Sequence, residues 1–154
     1  MKKIVNKLIE KNKTISTMES CTGGGLANEI TSIEGASSIL KYSAVTYSNE
    51  FKIKMGVKKE VIDKYSVYSM ETANEMSLNI SKFTNSDYAV GITGKLNRAD
   101  ENNNFGEDNV VFISVYDKAN NKFYNKELKV TEKERKDNKL LVINEVKNML
   151  LEII

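Results

Sequence analysis

The sequence predicts an α/β domain of three layers (α/β/α), whose mixed, largely parallel sheet ends in a late β-hairpin. Three observations carry this expectation. Short runs of β-branched residues alternate with amphipathic segments through the first part of the chain. A glycine triplet, Gly23-Gly24-Gly25, stands where one such run passes into a helical pattern. Two strand-like stretches, 109–116 and 122–130, flank the polar turn Asp117-Lys118-Ala119-Asn120-Asn121.

Taken in order, Ile4, Val5, Leu8 and Ile9 mark an amphipathic opening helix that ends near Asn12. Residues 14–18 form the first strand, and a helix runs from Leu26 to about Ser32. Glu34-Gly35-Ala36-Ser37-Ser38 is a turn, and residues 39–46 read as a second strand. Ser48 or Asn49 caps the next helix and Gly56 ends it. A short helix covers 59–64, and Ser69-Met70-Glu71-Thr72 reads as a capping box before a helix over 73–83. Residues 88–93 make a compact apolar strand ahead of the hairpin. The closing helix covers about 132–151 and turns Leu141, Val146, Met149 and Leu150 inward. Residues 95–106, with Asn102-Asn103-Asn104, read as an exposed loop. No repeat or linker interrupts the pattern, so 1–154 reads as one domain.

The 154 residues suffice for a real core, and 40% hydrophobic with 29% charged residues is ordinary for a soluble globular chain. No apolar run approaches the roughly 20 residues of a membrane span. Met1-Lys2-Lys3 opens no signal-peptide pattern, and a single cysteine forms no internal disulfide. A cytoplasmic location is the expectation. Lysines are interleaved with acids and the net charge is only +2, which reads as solvated helix faces rather than a nucleic-acid stripe.

Histidine is absent, which excludes Ser-His-Asp and Cys-His catalysis and histidine metal sites. A hydrolase built on this chain takes its base from Lys, Asp, Glu or Tyr. The densest chemical signal is Glu19-Ser20-Cys21-Thr22-Gly23-Gly24-Gly25. A strand, a hydroxyl, three glycines and a helix leave backbone N–H groups at a helix N-terminus for an anion or oxyanion. Ser20 there serves as a phosphate ligand or a nucleophile, and an ordinary turn with a serine cap is the plain alternative. Gly91-Ile92-Thr93-Gly94-Lys95 looks like a P-loop, but Ala89 and Leu96 occupy required positions, which rejects nucleotide triphosphate hydrolysis. Gly94 still reads as a tight turn where backbone approaches a ligand.

Without histidine, a lysine can activate the serine if it is held neutral by desolvation or crowding. Lys52, one helical turn past Ser48, is the best placed, with Tyr47 to relay or orient the proton. Its alternative reading is a surface helix lysine. Cys21 at a helix N-terminus would have a lowered thiol pKa, but a lone small residue after a strand is more often core.

Thr17-Met18-Glu19-Ser20-Cys21-Thr22-Gly23-Gly24-Gly25-Leu26-Ala27, Val45-Thr46-Tyr47-Ser48-Asn49-Glu50-Phe51-Lys52 and Met55-Gly56-Val57 together resemble the CinA C-terminal domain family. The likeness continues through Ser69–Ala73 and Gly91–Gly94, and reaches Glu134-Arg135 and Asn138-Lys139. It implies hydrolysis of the carboxamide of nicotinamide mononucleotide to nicotinate mononucleotide and ammonia, with no metal or cofactor. Carried onto this chain, Ser20 is the nucleophile, Lys52 the base and Tyr47 its neighbour. Thr22, Gly23, Gly24, Thr93, Gly94 and Arg135 line the nucleotide, with Arg135 a candidate for its phosphate. A homo-oligomer is also implied.

The chain departs from that family at three places. Tyr42-Ser43 stands where the family carries a glycine pair, and Ser66-Val67-Tyr68-Ser69 where it carries Gly-Ala-Val-Ser. Lys95-Leu96-Asn97-Arg98-Ala99-Asp100 replaces a glycine- and proline-rich loop. A related serine hydrolase with another substrate, or a catalytically silent nucleotide-binding module, are therefore the alternatives.

Overall fold

The structure, a computed structural model, describes residues 1–97 and 106–154. Arg98, Asp100 and Asn102-Asn103-Asn104 thus lie outside the described residues. Five strands, β1 (Ile15–Glu19), β2 (Leu40–Val45), β3 (Tyr88–Gly94), β4 (Val110–Asp117) and β5 (Lys122–Lys129), form one sheet in the order β2-β1-β3-β4-β5. β1 pairs parallel with β2 and β3, while β4 is antiparallel to both β3 and β5. Four of the five strands therefore point one way and only β4 is reversed, the mixed, largely parallel α/β sheet that the alternation predicts.

Helices α1 (Lys2–Glu10), α2 (Gly25–Thr31) and α6 (Arg135–Ile153) cover one face. Their Leu8, Leu26, Ile30, Val142, Val146 and Leu150 pack on Ile15, Val90, Ile92 and Ile113. Helices α3 (Asn49–Lys54), α4 (Lys59–Tyr65) and α5 (Met70–Thr84) belong to the other face, where Met76 and Ile80 of α5 pack on Met18, Ala44 and Ala89. Burying each such side chain contributes about 1.5–3 kcal/mol, so the two clusters fix which strand edge faces which helix. Among the described residues no helix is long and apolar enough to cross a membrane.

Several local expectations need correction. On α6 the fully buried residues are Asn138, Val142, Ile143, Val146 and Leu150, whereas Leu141 and Met149 are half-buried. The buried stripe thus runs through Val142 in place of the expected Leu141. The turn after α2 contains a short 3-10 helix, Ala36–Ser38. Ser69 caps α5 by accepting from the Thr72 N–H at 3.2 Å, but among the described residues no return bond to the Ser69 N–H completes a capping box. The short Thr72 hydroxyl donates to the Ser66 carbonyl instead, at 2.9 Å. Lys95 and Leu96, expected in an exposed loop, are buried. The Lys95 Nζ donates to the Gly106 carbonyl at 3.2 Å, lies 3.5 Å from Asp108, and sits over the Tyr68 ring.

Candidate functional site

The register decides what meets at the C-terminal edge of the parallel strands, where ligands bind in open α/β sheets. Glu19 is paired with Val45 on one side and Ile92 on the other. One residue further, the Ser20 N–H donates to the Ile92 carbonyl at 3.0 Å, and the Thr46 N–H donates to the Glu19 carbonyl at 2.9 Å. Thr46, Ser20 and Thr93 consequently form a row of three hydroxyl residues across β2, β1 and β3. The row continues the alternation of Ala44, Met18 and Ala89, so it belongs to the α5 face of the sheet.

Lys52 enters this row from α3. Ser48 starts that helix by accepting from the Phe51 N–H at 3.3 Å. The helix then inverts the usual pattern: Phe51 and Ile53 face solvent while Lys52 is 1% exposed. A lysine is almost never buried without a specific task or partner. Its Nζ lies 3.0 Å from the Ser20 Oγ and 2.6 Å from the Thr46 carbonyl oxygen. Ser20 and Lys52, 32 positions apart, are thus in hydrogen-bond contact.

The turn after Ser20 is held from beneath by a residue that sequence reasoning gave no role. The Glu19 side chain is fully buried and accepts from the Thr22 hydroxyl at 2.6 Å. It also accepts from the Leu26 and Ala27 N–H groups at 3.1 and 2.9 Å. This carboxylate occupies the first turn of α2, where donors are otherwise unsatisfied and negative charge is favoured. The Gly23 N–H is engaged as well, donating to the Ser20 carbonyl at 2.9 Å. Of the three N–H donors expected at this turn, those of Thr22 and Gly24 have no acceptor among the described residues. Gly23 and Gly24 adopt φ of +62° and +89°, which a Cβ would strain. Gly25 is required for another reason, since a Cβ there would come within 2.7 Å of Ile143 on α6.

Two cationic groups beside the turn, Arg135 and Lys139, both come from α6. Arg135, at the start of α6, donates from Nη1 to the Leu96 carbonyl at 2.6 Å and from Nη2 to the Tyr47 hydroxyl at 3.1 Å. Tyr47 is 63% exposed, and its phenol is therefore turned to Arg135 at the rim. The Lys139 Nζ would be 3.2 Å from a Cβ on Gly23, so it lies against the glycine turn. The resemblance reaches Lys139 but assigns it no role, because a helix-surface lysine gives no signal of its own. Arg135 is kept in place by its neighbour Asn138, whose amide bonds Asn97 at 2.8 Å and the backbone of Glu132 at 2.8 and 2.9 Å. Asn97 in turn donates from Nδ2 to Lys133 and from its N–H to Asn109.

Two expected ligand contacts have a structural explanation. The Thr93 hydroxyl donates to the Val67 carbonyl at 2.8 Å. A Cβ on Gly94 would meet the Val110 carbonyl at 2.5 Å, so the close backbone approach there is that of β4. Cys21 packs in the core among the α2 and α6 side chains. Burial pushes its thiol up to about 12, against the smaller opposing pull of Arg135 and Lys52, so it is protonated and no nucleophile. Among the described residues no group of three or more Cys, Asp or Glu could hold a metal ion.

A family model described as the CinA C-terminal domain matches residues 1–154. A putative competence-damage inducible protein of Thermoanaerobacter sp. is 45% identical over 96 residues, 61% of this chain and 23% of that protein. A CinA-like protein of Flavobacterium psychrophilum is 40% identical over 116 residues, 73% of this chain and 27% of that one. The chain therefore spans about a quarter of the length of these curated relatives. Among solved structures, the competence/damage inducible protein CihA of Agrobacterium tumefaciens superposes with a TM-score of 0.88 at 25% identity, covering 97% of this chain and 90% of that one. A competence-damaged protein superfamily member of Enterobacter cloacae gives 0.89 at 20% identity, over 99% and 89% of the two chains, a likeness of fold.

Proposed function

The chain belongs to the CinA C-terminal domain family, and from that premise we propose that it is an amidohydrolase of pyridine nucleotides working through Ser20 and Lys52. The observation that carries this reading is the 3.0 Å contact between the Ser20 Oγ and a lysine Nζ that is 1% exposed. Burial withdraws the hydration on which an ammonium depends, the condition a lysine base needs.

In this reading the neutral Lys52 amine takes the Ser20 proton as the Oγ attacks the carboxamide carbon. The resulting ammonium protonates the amide nitrogen, the C–N bond breaks, and ammonia leaves a Ser20 ester. Water, deprotonated by Lys52, attacks that ester, and the proton returns to the Ser20 oxygen as the carboxylic acid departs. The Thr22 and Gly24 N–H groups are the available donors for the developing oxyanion. Arg135 and Lys139 supply positive charge for a substrate phosphate, with the planar guanidinium suited to two oxygens at once. Residues 1–154 act as one catalytic unit, in the cytoplasm, and without a metal or cofactor. A homo-oligomer belongs to the same reading, and β2, an edge strand exposing Tyr42 and Val45, supports it.

The test is ammonia release from nicotinamide mononucleotide by wild type and by Ser20→Ala, beside a panel of small amides and esters. Release abolished by Ser20→Ala supports the proposal, and release by neither protein rejects it. A related serine hydrolase with a different substrate is the second reading. It is favoured by Lys95, which brings a buried cation and the Tyr68 ring to the strand that carries Thr93. Turnover of another amide or ester, with none of nicotinamide mononucleotide, would select it.

A further inference from the structure

Tyr47 follows Thr46 directly, yet the two residues turn to different partners. The Thr46 carbonyl oxygen lies 2.6 Å from the Nζ of Lys52, which comes from α3. The Tyr47 phenol oxygen accepts at 3.1 Å from the Nη2 of Arg135, which starts α6. Among the described residues no hydrogen bond joins that phenol to Ser20 or Lys52. The aromatic side chain is thus tied to the guanidinium and not to the Ser–Lys pair.

The shape of a guanidinium says what this bond does. Its N–H donors lie in one plane, so holding two of its nitrogens fixes the direction of the others. Here the Leu96 carbonyl takes Nη1 at 2.6 Å and the Tyr47 phenol takes Nη2. Arg135 is exposed and Tyr47 is 63% exposed, and a bond between two such side chains adds little to stability. An arginine already aimed, however, loses less freedom when its ligand arrives. We infer, resting on the assignment of the substrate phosphate to Arg135 proposed above, that Tyr47 is a positioning residue for phosphate recognition. Its phenol oxygen aims the guanidinium, and proton transfer between Ser20 and Lys52 proceeds without it.

The experiment is calorimetric titration with nicotinate mononucleotide, the product of the proposed reaction, and with its riboside, which lacks the phosphate. Tyr47→Phe should weaken the mononucleotide about three- to tenfold, the range of one hydrogen bond, and leave the riboside as it was. Tyr47→Leu, which removes the ring as well, should weaken it no further. In Arg135→Ala protein, Tyr47→Phe should add nothing, because the group it aims is gone. Equal weakening of both ligands, a further loss in Tyr47→Leu, or multiplied losses in the double variant would put Tyr47 against the ligand itself and overturn the inference. So would an unchanged mononucleotide affinity in Tyr47→Phe, or a wild type that binds the two ligands alike or neither of them. The titration needs no turnover, so the two readings fail separately. Phosphate-dependent weakening in a protein that releases no ammonia from nicotinamide mononucleotide rejects the amidase alone. An active amidase whose mononucleotide affinity ignores Tyr47→Phe rejects the role of Tyr47 alone. In active protein, Tyr47→Phe should raise KM by the same factor and hold kcat within about twofold. A loss of kcat of about tenfold or more at unchanged KM is the signature of a proton relay and overturns the inference.

Discussion

The Lys52 Nζ and the Ser20 Oγ are 3.0 Å apart, joined across two βα connections of a parallel sheet. If they act as base and nucleophile, Ser20→Ala should lower kcat by at least about 10^3-fold. The loss of one hydrogen bond should cost only about 1 kcal/mol of stability. Lys52→Arg should fail as well, because a guanidinium keeps its proton near neutral pH. Steady-state ammonia release with thermal unfolding as a control checks both. Wild-type activity in Lys52→Arg would remove that residue from the role of base.

Arg135 bridges the Leu96 carbonyl and the Tyr47 phenol at the rim of the turn. Arg135→Gln should raise KM for a phosphate-bearing substrate about tenfold or more, a charge-assisted bond being worth about 1.5–3 kcal/mol. kcat should change little. The same variant should leave KM for an uncharged amide, if one is turned over, nearly unaltered. An equal effect on both substrates would place Arg135 in a structural role.

Ser66 adopts φ +76° and ψ 157°, a region natural to glycine and costing other residues about 1–3 kcal/mol. Its carbonyl accepts from the Ser69 and Thr72 hydroxyls, and its own hydroxyl accepts from the Tyr68 N–H at 3.2 Å. Ser66→Gly should therefore stabilise the protein by about 1 kcal/mol, part of the relieved strain being offset by the lost hydroxyl and by glycine's freer unfolded chain. Urea unfolding measures the difference. A destabilised variant would mean that the hydroxyl contact outweighs the strain.

Burial raises the Cys21 thiol from 9.0 to about 12, so the folded protein holds a proton that the unfolded chain releases earlier. The stabilising contribution is complete below pH 9.0 and is lost as pH rises towards about 12, because ionisation then favours the unfolded state. Comparing wild type with Cys21→Ala over that range should show the wild type losing stability more steeply, by up to about 1.4 kcal/mol per pH unit. Parallel curves would mean that the thiol ionises equally well in both states. Alkylation of the native thiol at pH 8 should likewise proceed only through opening of the core.

How far the sequence disclosed this molecule depends on the range of the cause. Period and turn chemistry are local, so the strands, the Ser48 and Ser69 caps and the glycine turn could be read from their own residues. The meeting of Ser20 with Lys52 was legible because parallel strands bring their C-terminal ends to one edge. Glu19 was not, since nothing in Met18-Glu19-Ser20 tells an acid inside the fold from one in water. Its partners, the N–H groups of Leu26 and Ala27, are seven and eight residues on and appear only once the turn is folded. The burial of Lys95 is hidden for the same reason: its counter-charge, Asp108, is remote from it in sequence. Leu96 and Tyr47 gave no hint of a common guanidinium.

The asparagine knot of Asn97, Asn109 and Asn138 makes the end of β3, the start of β4 and the first turn of α6 a single corner. Arg135 is mounted on that corner as on a bracket. A ligand arriving at the guanidinium then meets a charge already aimed, and ordering the protein costs it little. Binding there should behave as capture by a fixed electrode: fast, and slowed by added salt.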